Sequence, residues 1–219
     1  MKDLFNRITK DKQLRILTAS MKEFAKSGFE NANINQVAKD AGVSVGSMYK
    51  YFESKQDLFL TTVKHCSADI RTALKSVMCE DVEWPVKVEK IIHIIQGYSR
   101  ENKVVVQLYN IMTTQSNSSF ISEAAQEVES LSAEVYQSLI QQAQKEHFIR
   151  NDCDSKMLAF LLDNLFMMLQ FSYACDYYRE RFKVYVDYDI LRRDDFVAEE
   201  MIKFIKGAFT VENEVKESE

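Results

Sequence analysis

The residues with the clearest chemical potential lie between positions 45 and 55, where small, hydroxylated, aromatic and basic side chains crowd the start of a short predicted helix. Tyr49 and Lys55 suit phosphate contact, because Lys55 begins a further predicted helix whose N-terminus favours an anion. Glycine at position 46 permits close backbone approach, while hydroxyl and lysine side chains can hydrogen-bond base edges and a valine can touch a thymine methyl. The candidate DNA-contacting residues are Asn35, Val45, Gly46, Ser47, Tyr49, Lys50 and Lys55. The alternative is a solvated polar face on an ordinary helical corner.

Two short helices must position these side chains. Asn33 and Gln36 fit a capping box that begins the first helix, and Gly42 fits the left-handed residue that ends it. Ser44 is the expected N-cap of the second helix, whose buried side carries Val43, Met48 and Phe52. Two short helices joined by a glycine-containing turn are typical of a helix-turn-helix, whose second helix enters the major groove of DNA.

Composition indicates an all-α protein of two parts. Only five of the 219 residues are glycine and one is proline, and three of the glycines fall in the first quarter, so long helices are expected after it. Residues 1–55 contain ten Lys and Arg against six Asp and Glu, a net charge of +4, whereas the remainder carries −9. We therefore predict a basic three-helix DNA-binding domain over residues 1–53 and a larger helical domain over residues 54–219.

Apolar periodicity predicts several longer helices. Lys10–Ser27, with Leu14 on its buried side, is closed by Gly28, and a helix from Ser54 to about Val77 is a natural lever between the two domains. Met157–Cys175 approaches membrane-spanning length, but its interior Asp, Asn and Gln residues favour a buried helix over a membrane span. The last helix covers Asp194–Phe209. The aromatic and basic stretch between them either continues the preceding helix or breaks into a covering segment.

The scattered cysteines and histidines point to no metal or cofactor. The four cysteines include no C-x-x-C pair, so free thiols in a reducing cytoplasm are expected, and no apolar secretory leader opens the chain. His65 and Cys66 are adjacent on a helix and point about 100° apart, so they cannot easily share one ion. The sequence contains no phosphate loop, nucleophile elbow or paired metal-binding histidines, so no motif predicts an enzyme.

Polar side chains that interrupt the apolar helices of the second domain are candidates for orienting a small apolar effector. These candidates are His93, Tyr98, Tyr109, Asp163, Asn164 and Gln170. Each of them could equally be a satisfied core or interface residue.

The run from Ile16 to Leu58 closely resembles the N-terminal domain of TetR-family transcriptional regulators. The matching elements are F-A-x-x-G-F, I-x-x-V-A-x-x-A-G-V-S, G-S-M-Y-x-Y-F and S-K-x-x-L, without gaps, over about a fifth of the chain. The resemblance implies a homodimer on a palindromic double-stranded operator, a small-molecule effector, and dimerisation through the last two long helices, Met157–Cys175 and Asp194–Phe209. Lys50 departs from many members, so operator sequence cannot be carried over.

Two alternatives stay open at this stage. The first is a DNA-binding regulator without an effector, and a filled C-terminal core would support it. The second is a helical carrier or enzyme for an apolar molecule that has kept the helix-turn-helix, which the basic N-terminal domain disfavours. A ligand-responsive repressor is the interpretation that accounts for both domains.

Overall fold

The computed structural model describes residues 3–114 and 118–210, apart from the side chains at positions 3, 118–121, 123, 124, 127 and 131. Within those residues every regular element is a helix, as composition predicts. The helices are α1 (Asp3–Arg7), α2 (Lys10–Asn31), α3 (Ile34–Ala41), α4 (Val45–Tyr51), α5 (Lys55–Cys66), α6 (Ala68–Met78), α7 (Trp84–Glu101), α8 (Lys103–Thr113), α9 (Ser118–Lys145), α10 (Ser155–Ala174), α11 (Asp176–Val186) and α12 (Asp194–Phe209), with a 3-10 turn at Ile190–Arg192 before the last.

The N-terminal core gathers apolar side chains from α1 to α5. The rings of Phe24 and Phe59 meet edge to face with centroids 4.9 Å apart, and Met48 of α4 is fully buried beside them. Leu108 and Met112 of α8 belong to the same cluster, so the three-helix unit rests on the helices that follow it. A domain boundary at residues 53 and 54 stays a prediction, since α5 contributes to this core from its first turn.

The first long helix departs from its predicted form in two places. Gly28 adopts φ 72° and breaks α2, as expected, but three further helical residues follow the break, to Asn31. Leu14 is 55 % exposed, so its predicted burial is wrong. The buried stripe of α2 instead includes Gln13, whose side-chain amide donates to the Phe5 carbonyl at 2.8 Å and ties α1 to α2.

The predicted lever helix is not continuous. It is divided at Ser67 into α5 and α6. The Ser67 hydroxyl donates back to the Val63 carbonyl at 2.8 Å, and the Tyr98 hydroxyl donates to the Cys66 carbonyl, also at 2.8 Å. Such side-chain bonds compete with the helical ladder and bend helices.

The C-terminal core lies among α6, α7, α9, α10 and α12. Helix α10 packs on α7, α8, α9 and α11, and Asp154 caps its start by accepting from the backbone N–H groups of Lys156 and Met157. By length and composition α10 could cross a membrane, but half of its most apolar stretch is buried inside the fold, as in the core helix of a soluble domain. Cys175 is extended and separates α10 from α11, so the aromatic stretch forms its own helix.

Candidate DNA interface and effector cavity

Helix α4 is short, and its ends fix its position. Ser44 accepts a hydrogen bond from the Ser47 backbone N–H at 3.1 Å, and its hydroxyl lies 2.8 Å from that of Ser47. Gly42 takes the left-handed conformation, φ 66° and ψ 39°, and its N–H bonds the last carbonyls of α3. Both expected caps are therefore confirmed, and the corner between α3 and α4 is a helix-turn-helix.

The outer face of α4 carries the predicted contact residues. Tyr49 is 55 % exposed, and Val45, Gly46 and Lys50 are also exposed, whereas Ser47 is half-buried because its hydroxyl faces the cap. Met48 and Tyr51 turn inward, so one helix face anchors the domain and the opposite face presents small, aromatic and basic groups. That division suits insertion into a groove.

The start of α3 is held differently from the expected capping box. Asn33 accepts from the Asn35 backbone N–H at 2.9 Å, but the Asn33 N–H donates to the carboxylate of Glu23 on α2. Gln36, the predicted partner, instead donates to Asp40 at 2.7 Å, so the box prediction is wrong. Asn35 itself is exposed at the first turn of α3.

Lys55 lies at the N-terminus of α5 as predicted. Its ammonium donates to the Glu30 carbonyl at 2.7 Å and stands 5.0 Å from the centre of the Phe29 ring. Two N–H donors of an ammonium group remain after one hydrogen bond. Lys55 thus joins the end of α2 to the start of α5.

A cavity of about 330 Å³ lies between α8, α9 and α10. Its inner wall is formed by Tyr109, Tyr136 and Met167, and its rim by the exposed side chains of Lys156 and Phe160. The other lining residues are Glu129, Ala133, Gln137, Ala159, Asp163 and Asn164. The size is at the lower end of the range for small-molecule sites, and the walls are largely apolar with a few polar groups.

Two carboxyl groups stand in this cavity. Glu129 accepts a hydrogen bond from the Tyr109 hydroxyl at 2.9 Å. Burial raises the pKa of Glu129, against the hydrogen bond from Tyr109 and the charge of Arg71, which lower it. Burial, and secondarily the charge of Glu129, raise the pKa of Asp163 to about 6. A carboxyl group with such a pKa changes charge just below neutral pH.

A narrower extension of about 70 Å³ continues from the cavity toward the break between α5 and α6. It shares Tyr109, Glu129 and Asp163 with the main cavity and adds Ser67 and Arg71. Burial lowers the pKa of the Arg71 guanidinium, which the charge of Glu129 partly offsets. One nitrogen of Arg71, Nη2, is buried without a hydrogen-bond partner among the described residues.

The family comparison is specific for the N-terminal residues. Residues 16–62 match the model described as bacterial regulatory proteins, tetR family. This N-terminal stretch, about a fifth of the chain, is thus similar to the DNA-binding domain of the TetR family. An HTH-type transcriptional regulator of Bacillus subtilis, YhgD, of uncharacterised function, is 22 % identical over 163 residues, 74 % of this chain and 84 % of YhgD. The fatty acid metabolism regulator protein of the same organism is 32 % identical over 53 residues, 24 % of this chain and 27 % of that protein.

Solved structures extend the likeness to the whole fold. FadR from Bacillus subtilis, solved in complex with stearoyl-CoA, superposes with a TM-score of 0.70 at 16 % identity, covering 86 % of this chain and 97 % of FadR. The fatty acid degradation regulator FadR from Bacillus halodurans gives the same TM-score and identity. At this identity the likeness establishes the TetR-like arrangement of an N-terminal helix-turn-helix domain and a larger helical domain. It does not transfer a ligand.

The predicted effector residues lie in different places. Tyr109, Asp163 and Asn164 line the cavity, and Gln170 lines only its extension. Tyr98 bonds the end of α5. The remaining candidate, at position 93, is exposed in a separate groove between α7 and α12.

Sequence reasoning missed Glu129, Tyr136 and Arg71. Glu129 belongs to a helix rich in Glu and Gln, and its only signal is that it lies seven residues before Tyr136 on one helical face. The four cysteines are free thiols. No group of three or more potential metal ligands occurs within the described residues.

Proposed function

We propose that this protein is a homodimeric repressor that leaves a palindromic operator when a small molecule enters the cavity between α8, α9 and α10. One observation carries the proposal. Tyr109 lines the cavity, while its neighbour Leu108 is fully buried in the N-terminal core that supports α4. A ligand against Tyr109 therefore presses on the same helix, α8, that positions the DNA-binding unit.

In this proposal α4 enters the major groove. Lys50 and Ser47 contact base edges or phosphates, Val45 touches a thymine methyl, and Gly46 lets the backbone come close. Tyr49 contacts phosphate. Asn35 reaches the edge of the same groove, and Lys55 offers its remaining donors to a phosphate at the N-terminus of α5.

The dimer is proposed to form through α10 and α12. Outward-facing apolar side chains occur on both helices: Phe160 is 61 % exposed and Phe204 is 60 % exposed, and Met157 and Leu161 are exposed beside Phe160. Exposed apolar surface of this kind is typical of an interface. A two-fold axis through these helices would place one α4 from each protomer on one half-site of the operator.

The release step is a shift between two arrangements of the helix-turn-helix units. An effector binds more tightly to the arrangement in which the two copies of α4 no longer match successive major grooves. The extension at Ser67 and Arg71 gives the ligand a second route, through the break between α5 and α6, to the same movement.

The effector is proposed to be small and largely apolar, as the cavity walls are. That a TetR-like relative binds stearoyl-CoA supports an apolar effector in general terms. The open cavity also favours this proposal over a regulator without an effector, whose C-terminal core would be filled. We place the protein in the cytoplasm, where DNA and free thiols are found together.

The DNA half of the proposal is tested by selecting binding sites for the wild-type protein from random duplexes, then measuring affinity at several salt concentrations. Tyr49→Ala and Lys50→Ala should each weaken binding, and a lost phosphate contact should reduce the salt slope by about one. Tyr185→Ala and Lys145→Ala are matched controls, because both residues are exposed elsewhere, on α11 and at the end of α9. Equal affinity for all four variants would remove α4 as the recognition helix.

A further inference from the structure

We propose that the effector is a lipophilic monocation, a protonated amine or quaternary ammonium with an apolar body, held by the carboxylate of Asp163. The inference rests on the proposed function and names the ligand class of the same cavity. Its central observation is that Asp163 faces a cavity of about 330 Å³ while no described residue donates a hydrogen bond to it or pairs with it. Buried charges in proteins are normally paired, so an unpaired one is a natural seat for an opposite charge.

The charges around Asp163 leave one negative charge to be neutralised. Glu129 of α9 is already held by Tyr109 of α8 and is offset by Arg71 of α6. On α10 itself, Lys156 is at the rim and is exposed to solvent. Among the described residues, the phenols of Tyr109 and Tyr136 also face Asp163. Burial raises the pKa of both phenols, so both stay neutral. A cation beside Asp163 would thus neutralise its carboxylate, whereas an anion in the main cavity would be repelled by the carboxylates of Asp163 and Glu129.

The walls suit the body of such a ligand. Tyr109, Tyr136 and Phe160 present aromatic rings, and Met167 adds a polarisable thioether. Cations bind favourably over aromatic faces, and quaternary ammonium groups are recognised in this way. A cavity of about 330 Å³ is at the lower end of the range for small-molecule sites, so a single alkyl chain with a compact ammonium head suits it better than a ligand with a large polar headgroup.

The test uses three probes with the same chain, decyltrimethylammonium, decanoate and decanol, each below its micelle concentration and each titrated calorimetrically into the full-length protein. We expect decyltrimethylammonium to bind and the other two to bind at least about tenfold more weakly, since only the cation gains the Asp163 pair. Between about pH 7.5 and about pH 5 the cation should lose about tenfold in affinity, because the carboxyl group takes up a proton.

Two variants separate the charge from the shape of the site. Asp163→Asn keeps the size of the side chain and should remove most of the affinity for decyltrimethylammonium together with its pH dependence. Glu146→Gln, at an exposed carboxylate beyond the end of α9, is the matched control and should bind like wild type. Circular dichroism confirms that each variant is folded.

The results of this test bear on the ligand class separately from the proposal that the protein is a regulator. Three results would contradict the proposal that the effector is a cation: tighter binding of decanoate, unchanged cation affinity in Asp163→Asn, or no binding of any of the three probes. If decanoate binds and displaces the selected duplex, the effector-controlled regulator stands with a different ligand class. If no probe binds and wild type selects no duplex, the regulator proposal fails as well.

Discussion

At the scale of single residues, Asp163 combines its proposed role in binding with a cost in stability. Its raised pKa means that the folded state holds a proton more tightly than the unfolded chain between about pH 4 and 6. Stability therefore falls as the pH rises through that window, with other groups held fixed. We expect Asp163→Asn to raise the free energy of unfolding at neutral pH by about 1–3 kcal/mol. Urea unfolding of both proteins at several pH values measures this.

The difference between Asp163→Asn and wild type should shrink as the pH falls toward 4, since wild type then carries a neutral carboxyl group too. Glu146→Gln provides the control, because an exposed carboxylate gives little change at any pH. A pH-independent gain would indicate that packing rather than desolvation is responsible. A residue that destabilises the fold in this way is typical of a site kept for function.

Residues with local causes were predictable, and residues whose surroundings come from distant segments were not. Gly42 and Ser44 follow from the backbone rules of helix ends, and both occupy the predicted positions. The partner of the Asn33 N–H is Glu23, ten residues earlier on another helix, so the local Asn33 and Gln36 pattern named the wrong side chain. Glu129 was overlooked for the same reason, since its burial depends on α8 and α10.

At the scale of helices, Tyr98 contacts the break between α5 and α6. Its hydroxyl donates to the Cys66 carbonyl at the end of α5. Tyr98→Phe removes only this bond, so we expect it to lower the free energy of unfolding by about 1 kcal/mol. Tyr177→Phe, at an exposed tyrosine of α11, should leave stability unchanged. Urea unfolding compares the two variants, and an equal effect from both would show that the bond contributes nothing.

Apolar periodicity located most helices because it reports which face is buried. It cannot report a break that leaves the buried face in register, which is why the segment from Ser54 to about Val77 was predicted as one helix. The Ser67 hydroxyl bonds back to Val63, but three threonines of α5 and α6 bond back in the same way without a break, so such a hydroxyl does not locate the break. The hydrogen bond from Tyr98 of α7 to the Cys66 carbonyl joins residues 32 positions apart, so the local sequence could not show it.

At the scale of the whole molecule, the proposed dimer explains the apolar residues left outside the two cores. Leu161 and Phe204 are on helices whose opposite faces are buried in the C-terminal core, so their exposure in a single chain calls for a partner. Replacing Leu161 with Glu would place a charge in the proposed interface without entering either core. We expect light scattering to give a dimer for wild type and a mass near 25.5 kDa for Leu161→Glu.

The loss of the dimer should also weaken DNA binding. A monomer offers one α4, so its affinity for a palindromic duplex should fall to about that for a single half-site, and the dependence on half-site spacing should disappear. Val184→Glu is the matched control, because Val184 is an exposed apolar residue of α11, outside the proposed interface of α10 and α12, and should leave both mass and affinity unchanged. If Leu161→Glu remains dimeric while Val184→Glu dissociates, the partner surface is α11. The proposed arrangement of the two α4 helices on DNA would then have to be derived from a dimer formed through α11.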